Sequence, residues 1–74
     1  MGNIVDSINY VLEQFIQYEK SLKKELKAVK KLCDVRCQAY EENNDYLSLQ
    51  NELSNIKKEI KIYKKVQKLL SQLP

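Results

Sequence analysis

Seventy-four residues with a formal net charge of +3, no histidine and two cysteines rule out most chemistry at the outset. A chain this short supplies only about 3–5 kcal/mol of core stability by itself, a zinc site has no histidine to complete a ligand set, and no nucleophile stands beside a base. The composition predicts a non-enzymatic protein with no cofactor, no metal and a need for a partner.

The chain opens Met1-Gly2-Asn3, which invites comparison with an N-myristoylation signal. That pattern wants Ser or Thr where Asp6 stands, so lipidation is not expected. The start lacks the basic head and apolar stretch of a secretory signal, and no apolar run exceeds three residues, too short to cross a bilayer. The expected setting is soluble and cytoplasmic. Cys33 and Cys37 are four apart and would lie side by side on one helix, where a disulfide between them is disfavoured. Reduced thiols are expected.

Between Gly2 and Pro74 there is neither glycine nor proline, and apolar residues recur at alternating steps of three and four. This predicts an all-α module with long amphipathic helices. The first stripe runs through Ile4, Ile8, Val11, Phe15, Tyr18, Leu22, Val29 and Leu32, widened on one flank by Val5, Leu12, Leu26, Cys33 and Tyr40. A stripe that wide suits a helix with more than one neighbour. A second stripe, Tyr46, Leu49, Leu53, Ile56, Ile60, Tyr63 and Leu70, is out of phase with the first. Between them lies Glu41-Glu42-Asn43-Asn44-Asp45, a window without apolar residues. One reading reverses the chain there: a single antiparallel coiled-coil hairpin over residues 1–74, with helices at about 3–42 and 46–73 and a turn at about 43–45. Asn43 or Asn44 would take the left-handed conformation and Asp45 would cap the second helix. The alternative is one continuous coiled-coil helix with a stutter.

A reversal between Asn43 and Asn44 would bring Leu73 level with Gln14 and leave the chain before Gln14 projecting past the second helix. Ile4, Val5, Ile8, Val11 and Leu12 would then lie open, each worth about 1.5–3 kcal/mol when fully buried. A continuous helix would have no partner in its own chain. Either shape calls for association, as a homo-oligomer or with a helical partner subunit. The residues expected at the protein interface are Ile4, Ile8, Val11, Leu12, Phe15, Tyr18, Leu22, Val29, Leu32, Leu49, Leu53, Ile56, Ile60, Tyr63 and Leu70. Glu25 and Arg36 interrupt the seam and can set its register.

Charge is arranged in blocks. Residues 1–19 hold Asp6, Glu13 and Glu19 with no basic residue, and residues 20–31 hold six lysines against Glu25. Residues 32–56 hold five carboxylates against Arg36, and residues 57–68 hold six lysines against Glu59. In the hairpin with a turn at Asn43, Lys23 would lie level with Lys64 and Lys30 with Lys57, giving one basic patch. In a continuous helix the bands would lie about 55 Å apart. Lys23, Lys24, Lys27, Lys30, Lys31, Lys57, Lys58, Lys61, Lys64 and Lys65 are the candidate contacts to an anionic membrane surface. Scarce arginine and the absence of stacking aromatics beside the lysines argue against specific nucleic-acid recognition.

Tyr18 followed by Leu22-Lys23, then Arg36 and Tyr40, and later Asn55-Ile56-Lys57-Lys58-Glu59-Ile60, resemble the helical BAR region of sorting nexins over about residues 15–66. The resemblance implies a dimeric helical module that senses or shapes endosomal membranes and lies peripheral to them. The chain has no counterpart of that family's phosphoinositide-binding PX domain or of a third BAR helix. The residues alone thus support an oligomerisation module or scaffold within a larger complex, and alternatively a BAR-like membrane-surface module in endosomal trafficking.

Overall fold

The computed structural model describes residues 4–73 and is an antiparallel helical hairpin. Helix α1 spans Ile4–Arg36, a single 3-10 turn covers Tyr40–Glu42, and helix α2 spans Asn44–Ser71. The chain reverses, and the continuous helix is not formed. The two helices lie along each other as a rod of 57 × 18 × 13 Å.

The reversal comes earlier than the Asn-rich window implied. Helix α1 ends at Arg36 rather than near residue 42, because Cys37 takes the left-handed conformation (φ 54°). The Gln38 N–H donates to the Cys33 carbonyl at 2.9 Å and the Cys37 N–H to the Asp34 carbonyl at 3.3 Å, a complete Schellman closure. Neither Asn43 nor Asn44 is left-handed. Asn43 is instead the N-cap of α2, its side-chain oxygen accepting from the Tyr46 N–H at 2.9 Å, the role expected of Asp45. An asparagine carbonyl placed three residues before a free helical N–H satisfies one of the unpaired donors there, and Asp45 remains in the first turn as a favourable negative charge.

Side chains lock the connecting loop. The Gln38 side-chain oxygen accepts from the Asn43 amide at 3.2 Å and from the Cys33 thiol at 3.7 Å. Tyr40 stacks on Tyr46 with ring centroids 5.1 Å apart and donates to Asp34 at 2.8 Å. The loop is therefore a folded corner that joins the last turn of α1 to the first turn of α2.

This corner sets a different register. Gln67 donates to Asn9, and the Phe15 and Tyr63 rings meet edge-to-face at 5.2 Å. Carried along two antiparallel helices of equal rise, these contacts bring Leu73 beside the first turn of α1, not beside Gln14. The N-terminal overhang expected from the sequence does not exist; α2 covers that stretch, and Leu12 is buried. The core is a line of Leu12, Leu22 and Leu26 against Leu53, Ile56 and Ile60, flanked by Phe15, Ile16, Tyr46, Leu49 and Tyr63. Cys33 closes it at the loop end, fully buried.

So small a core has little redundancy. Leu26→Ala or Ile56→Ala should each cost about 2–5 kcal/mol and leave a largely unfolded chain, read as loss of helical circular dichroism. Asn43→Ala should cost about 1 kcal/mol. Cys37→Gly should stabilise by about 0.5–1 kcal/mol, because glycine takes a left-handed cap without steric cost. Urea titration checks both, and a Cys37→Gly variant less stable than the native chain would contradict the assigned cap.

Candidate interaction surfaces

The hairpin has two unlike sides. On one, the Tyr18 hydroxyl donates to Glu52 at 2.9 Å, and Glu25, Ala28 and Val29 of α1 line an open groove of about 370 Å³ with Asp45, Ser48 and Leu49 of α2. These contacts fix which flank of each core stripe belongs to this side. By the 100° step of an α-helix, α1 also turns Ile4, Val11 and Leu32 this way, and α2 turns Glu59, Val66 and Leu73. The side is apolar at the open end of the hairpin and acidic toward the middle.

Several exposed apolar residues lie on this side or next to it. On α2, Ile62, Val66, Leu69 and Leu73 follow steps of four, three and four along a second seam beside the core stripe. Ile62, Leu69 and Leu73 are more than half exposed. In the observed register they lie level with Ile4, Ile8 and Val11 of α1, Val66 and Leu73 turned toward that side and Ile62 and Leu69 further out, next to Lys58 and Lys65. Nearer the loop, Ala28, Leu32 and Val35 line a second shallow groove with Lys31, and Val35 is 77% exposed.

The fifteen residues expected at an interface divide accordingly. Leu12, Leu22, Leu53, Ile56 and Ile60 are buried inside the hairpin itself, so their stripe is occupied by the chain's own second helix. Ile8, Val11, Phe15, Val29, Leu49, Tyr63 and Leu70 are half-buried at its edges. Ile4, Tyr18 and Leu32 remain exposed. Ile62, Val66, Leu69, Leu73 and Val35 were not among the expected positions. The signal for the first four was their spacing, a fainter repeat that overlaps the lysine band.

The opposite side is basic. Lys20, Lys23, Lys27 and Lys30 recur at steps of three and four on the flank of α1 away from Glu25 and Val29. Lys57, Lys61, Lys64 and Lys68 do the same on the flank of α2 away from Glu52 and Glu59. All are exposed except Lys30, which is half-buried. Lys24, Lys31, Lys58 and Lys65 point outward, away from the partner helix, so the ten expected lysines do not share one face, and Lys20 and Lys68 join the row. Among the described residues, the row's one ion pair is Lys23 to Glu19 at 3.9 Å.

The two bands do not stack as expected. In the observed register residues 20–31 run beside the part of α2 that carries Asp45 and Glu52, and residues 57–68 run beside the part of α1 that carries Glu13 and Glu19. Lys23 is therefore not level with Lys64, nor Lys30 with Lys57. The bands lie end to end, which removes the like-charge stacking that the later turn would have imposed.

Among the described residues no cluster of three or more His, Cys, Asp or Glu side chains is placed to hold a metal ion, and no helix is long and apolar enough to cross a membrane. Cys33 and Cys37 are not bonded to each other; the first is buried and the second exposed. Compared with known proteins, the chain matches no family model, no curated protein and no solved structure.

Hydrogen bonds to carboxylates raise the pKa of two exposed phenols above the usual tyrosine value, Tyr18 through Glu52 and Tyr40 through Asp34. Both bonds need the protonated phenol, so whatever they contribute to the fold is present below the ordinary tyrosine range and is lost as pH rises through the raised values. Tyr18→Phe and Tyr40→Phe should each remove a late-ionising component from an ultraviolet titration of the native hairpin. A titration curve whose alkaline end is unchanged by both substitutions would contradict the two bonds.

Proposed function

We propose that this chain is a non-enzymatic helical assembly module, which brings protein chains together through the apolar side of its hairpin. One observation carries the reading: Ile62, Leu69 and Leu73 of the seam, like Ile4, are exposed, and Val66 and Val11 half-buried, on a molecule whose own helices are already paired. A contiguous exposed apolar patch of this kind marks an association site far more often than scattered surface leucines do. The need is also energetic. Among the described residues seven apolar side chains are buried, those of Leu12, Leu22, Leu26, Cys33, Leu53, Ile56 and Ile60, and a core of that size leaves a two-helix unit marginal without further packing.

The partner surface is helical in this reading. A stripe with four-three-four spacing accepts the ridges of another helix, and a third or fourth helix on this side would turn the hairpin into a bundle. Glu25, Arg36, Glu52 and Glu59 lie where polar residues set register in such packing.

The test uses residues that the hairpin leaves exposed, so that its own fold is not the variable. Sedimentation equilibrium of the full chain should show self-association at micromolar concentration, and Ile62→Asp with Leu69→Asp should yield a helical monomer with lowered thermal stability. A native chain that remains monomeric, melts cooperatively and is unaffected by the double substitution would overturn the reading.

A further inference from the structure

We infer that the lysine side of the hairpin is a second docking surface, for an anionic lipid bilayer, separate from the apolar side and usable at the same time. Lys20, Lys23, Lys27 and Lys30 continue into Lys57, Lys61, Lys64 and Lys68 because the two helices are antiparallel and the bands lie end to end. Together they form one row roughly 30 Å long at the rise of an α-helix, on a rod whose longest dimension is 57 Å.

The form of the row selects among polyanions. It runs along one side of a rod-shaped hairpin, stepping from α1 to α2, so its lysines can approach a plane together, whereas the phosphates of a duplex wind away from a straight line within one helical turn. All eight cations are lysines, point charges on flexible stems that settle among mobile headgroups. No arginine offers the bidentate fork of base or phosphate recognition, and no tyrosine or phenylalanine stands in the row to stack on a base. Carboxylates are few there: Glu25, Glu52 and Glu59 belong to the other side, Glu19 meets Lys23, and Glu13 and Asp34, each seven residues from a lysine of the row, share its flank of α1. Near an anionic leaflet each lysine adds a favourable increment that salt screens, and a row of eight acts together.

The experiment compares two triple substitutions of equal charge. The full-length chain is sedimented with vesicles of phosphatidylcholine alone and of phosphatidylcholine with about one-third phosphatidylserine. Native protein should bind the anionic vesicles at low salt and leave the neutral ones in solution. Lys27→Gln with Lys61→Gln and Lys64→Gln, all in the row, should weaken binding by roughly a hundredfold. Lys24→Gln with Lys58→Gln and Lys65→Gln, all outward, should weaken it by less than about fivefold. A second measurement needs no variant: amine-reactive labelling of the native chain should be suppressed by anionic vesicles at Lys23, Lys27, Lys61 and Lys64 and unchanged at Lys24, Lys58 and Lys65. Equal losses from the two triples, protection spread over all lysines, binding to neutral vesicles, or displacement from vesicles by duplex DNA at equal phosphate concentration would each overturn the inference. Since these readouts do not depend on oligomeric state, failure of the assembly reading would leave this result standing, and the reverse.

Discussion

Where α1 stops decides everything else in this molecule. With the left-handed Cys37 and the Schellman closure at its end, the chain turns at residues 37–43, and Phe15 meets Tyr63. Had α1 run on to residue 42, the same helices would have faced each other several residues out of step. Lys23 would have opposed Lys64, and the first three turns of α1 would have hung beyond α2. The observed stop instead pairs each lysine block with the acidic segment of the other helix. Packing and long-range electrostatics therefore favour the same register, and the loop hydrogen bonds of Gln38, Asn43, Asp34 and Tyr40 hold it locally. Agreement among such independent terms is what gives one register an energy gap over its neighbours.

A two-helix hairpin can bury only one stripe per helix. The stripe on α1 was too wide for a single neighbour, and the structure resolves the excess by assigning Leu12, Leu22, Leu26 and Cys33 to α2 while leaving Ile4, Tyr18 and Leu32 outside. The same division on α2 gives Leu53, Ile56 and Ile60 to the core and Ile62, Leu69 and Leu73 to the surface. Ile4, Tyr18, Leu32 and Leu73 therefore fall along one side as a consequence of helical geometry, whereas Leu47, five turns from Lys65 on α2, points outward with it.

The two long helices were legible in the sequence from their heptad stripes, and the change of phase between them marked where a reversal could fall, although a stutter in one continuous helix fitted the same change. Leu12, Leu22, Leu53, Ile56 and Ile60, which pack between the chain's own two helices, were legible as apolar stripe positions. The turn's position was not. Cys37 is a poor signal for a left-handed residue, since that conformation disfavours any side chain with a Cβ, and its cost is met only by bonds that depend on the folded corner. Asn43 was read correctly as a turn-forming residue but in the wrong role, because asparagine serves equally as N-cap and as left-handed cap. The error of a few residues there propagated along the whole rod, creating an overhang and a lysine stack that the protein does not have. The side of the hairpin to which each lysine belongs could be read only once the groove between Val29 and Ser48 had fixed the relative rotation of the helices.

The charge blocks carry a further implication for how the two sides relate. Alternating acidic and basic blocks could in principle neutralise one another along a single helix, yet here Glu25, Asp45, Glu52 and Glu59 gather on the apolar side and the lysine rows on the other. Complementarity between helices operates at the level of whole segments, through fields that reach across the width of the hairpin, while the side chains themselves remain segregated around it. The separation is not complete: Glu19 pairs with Lys23 within the row, and Arg36 stands among the carboxylates of the other side. The apolar seam and the lysine row thus lie on different flanks of the hairpin, with Lys31 at the edge of the groove that Ala28, Leu32 and Val35 form.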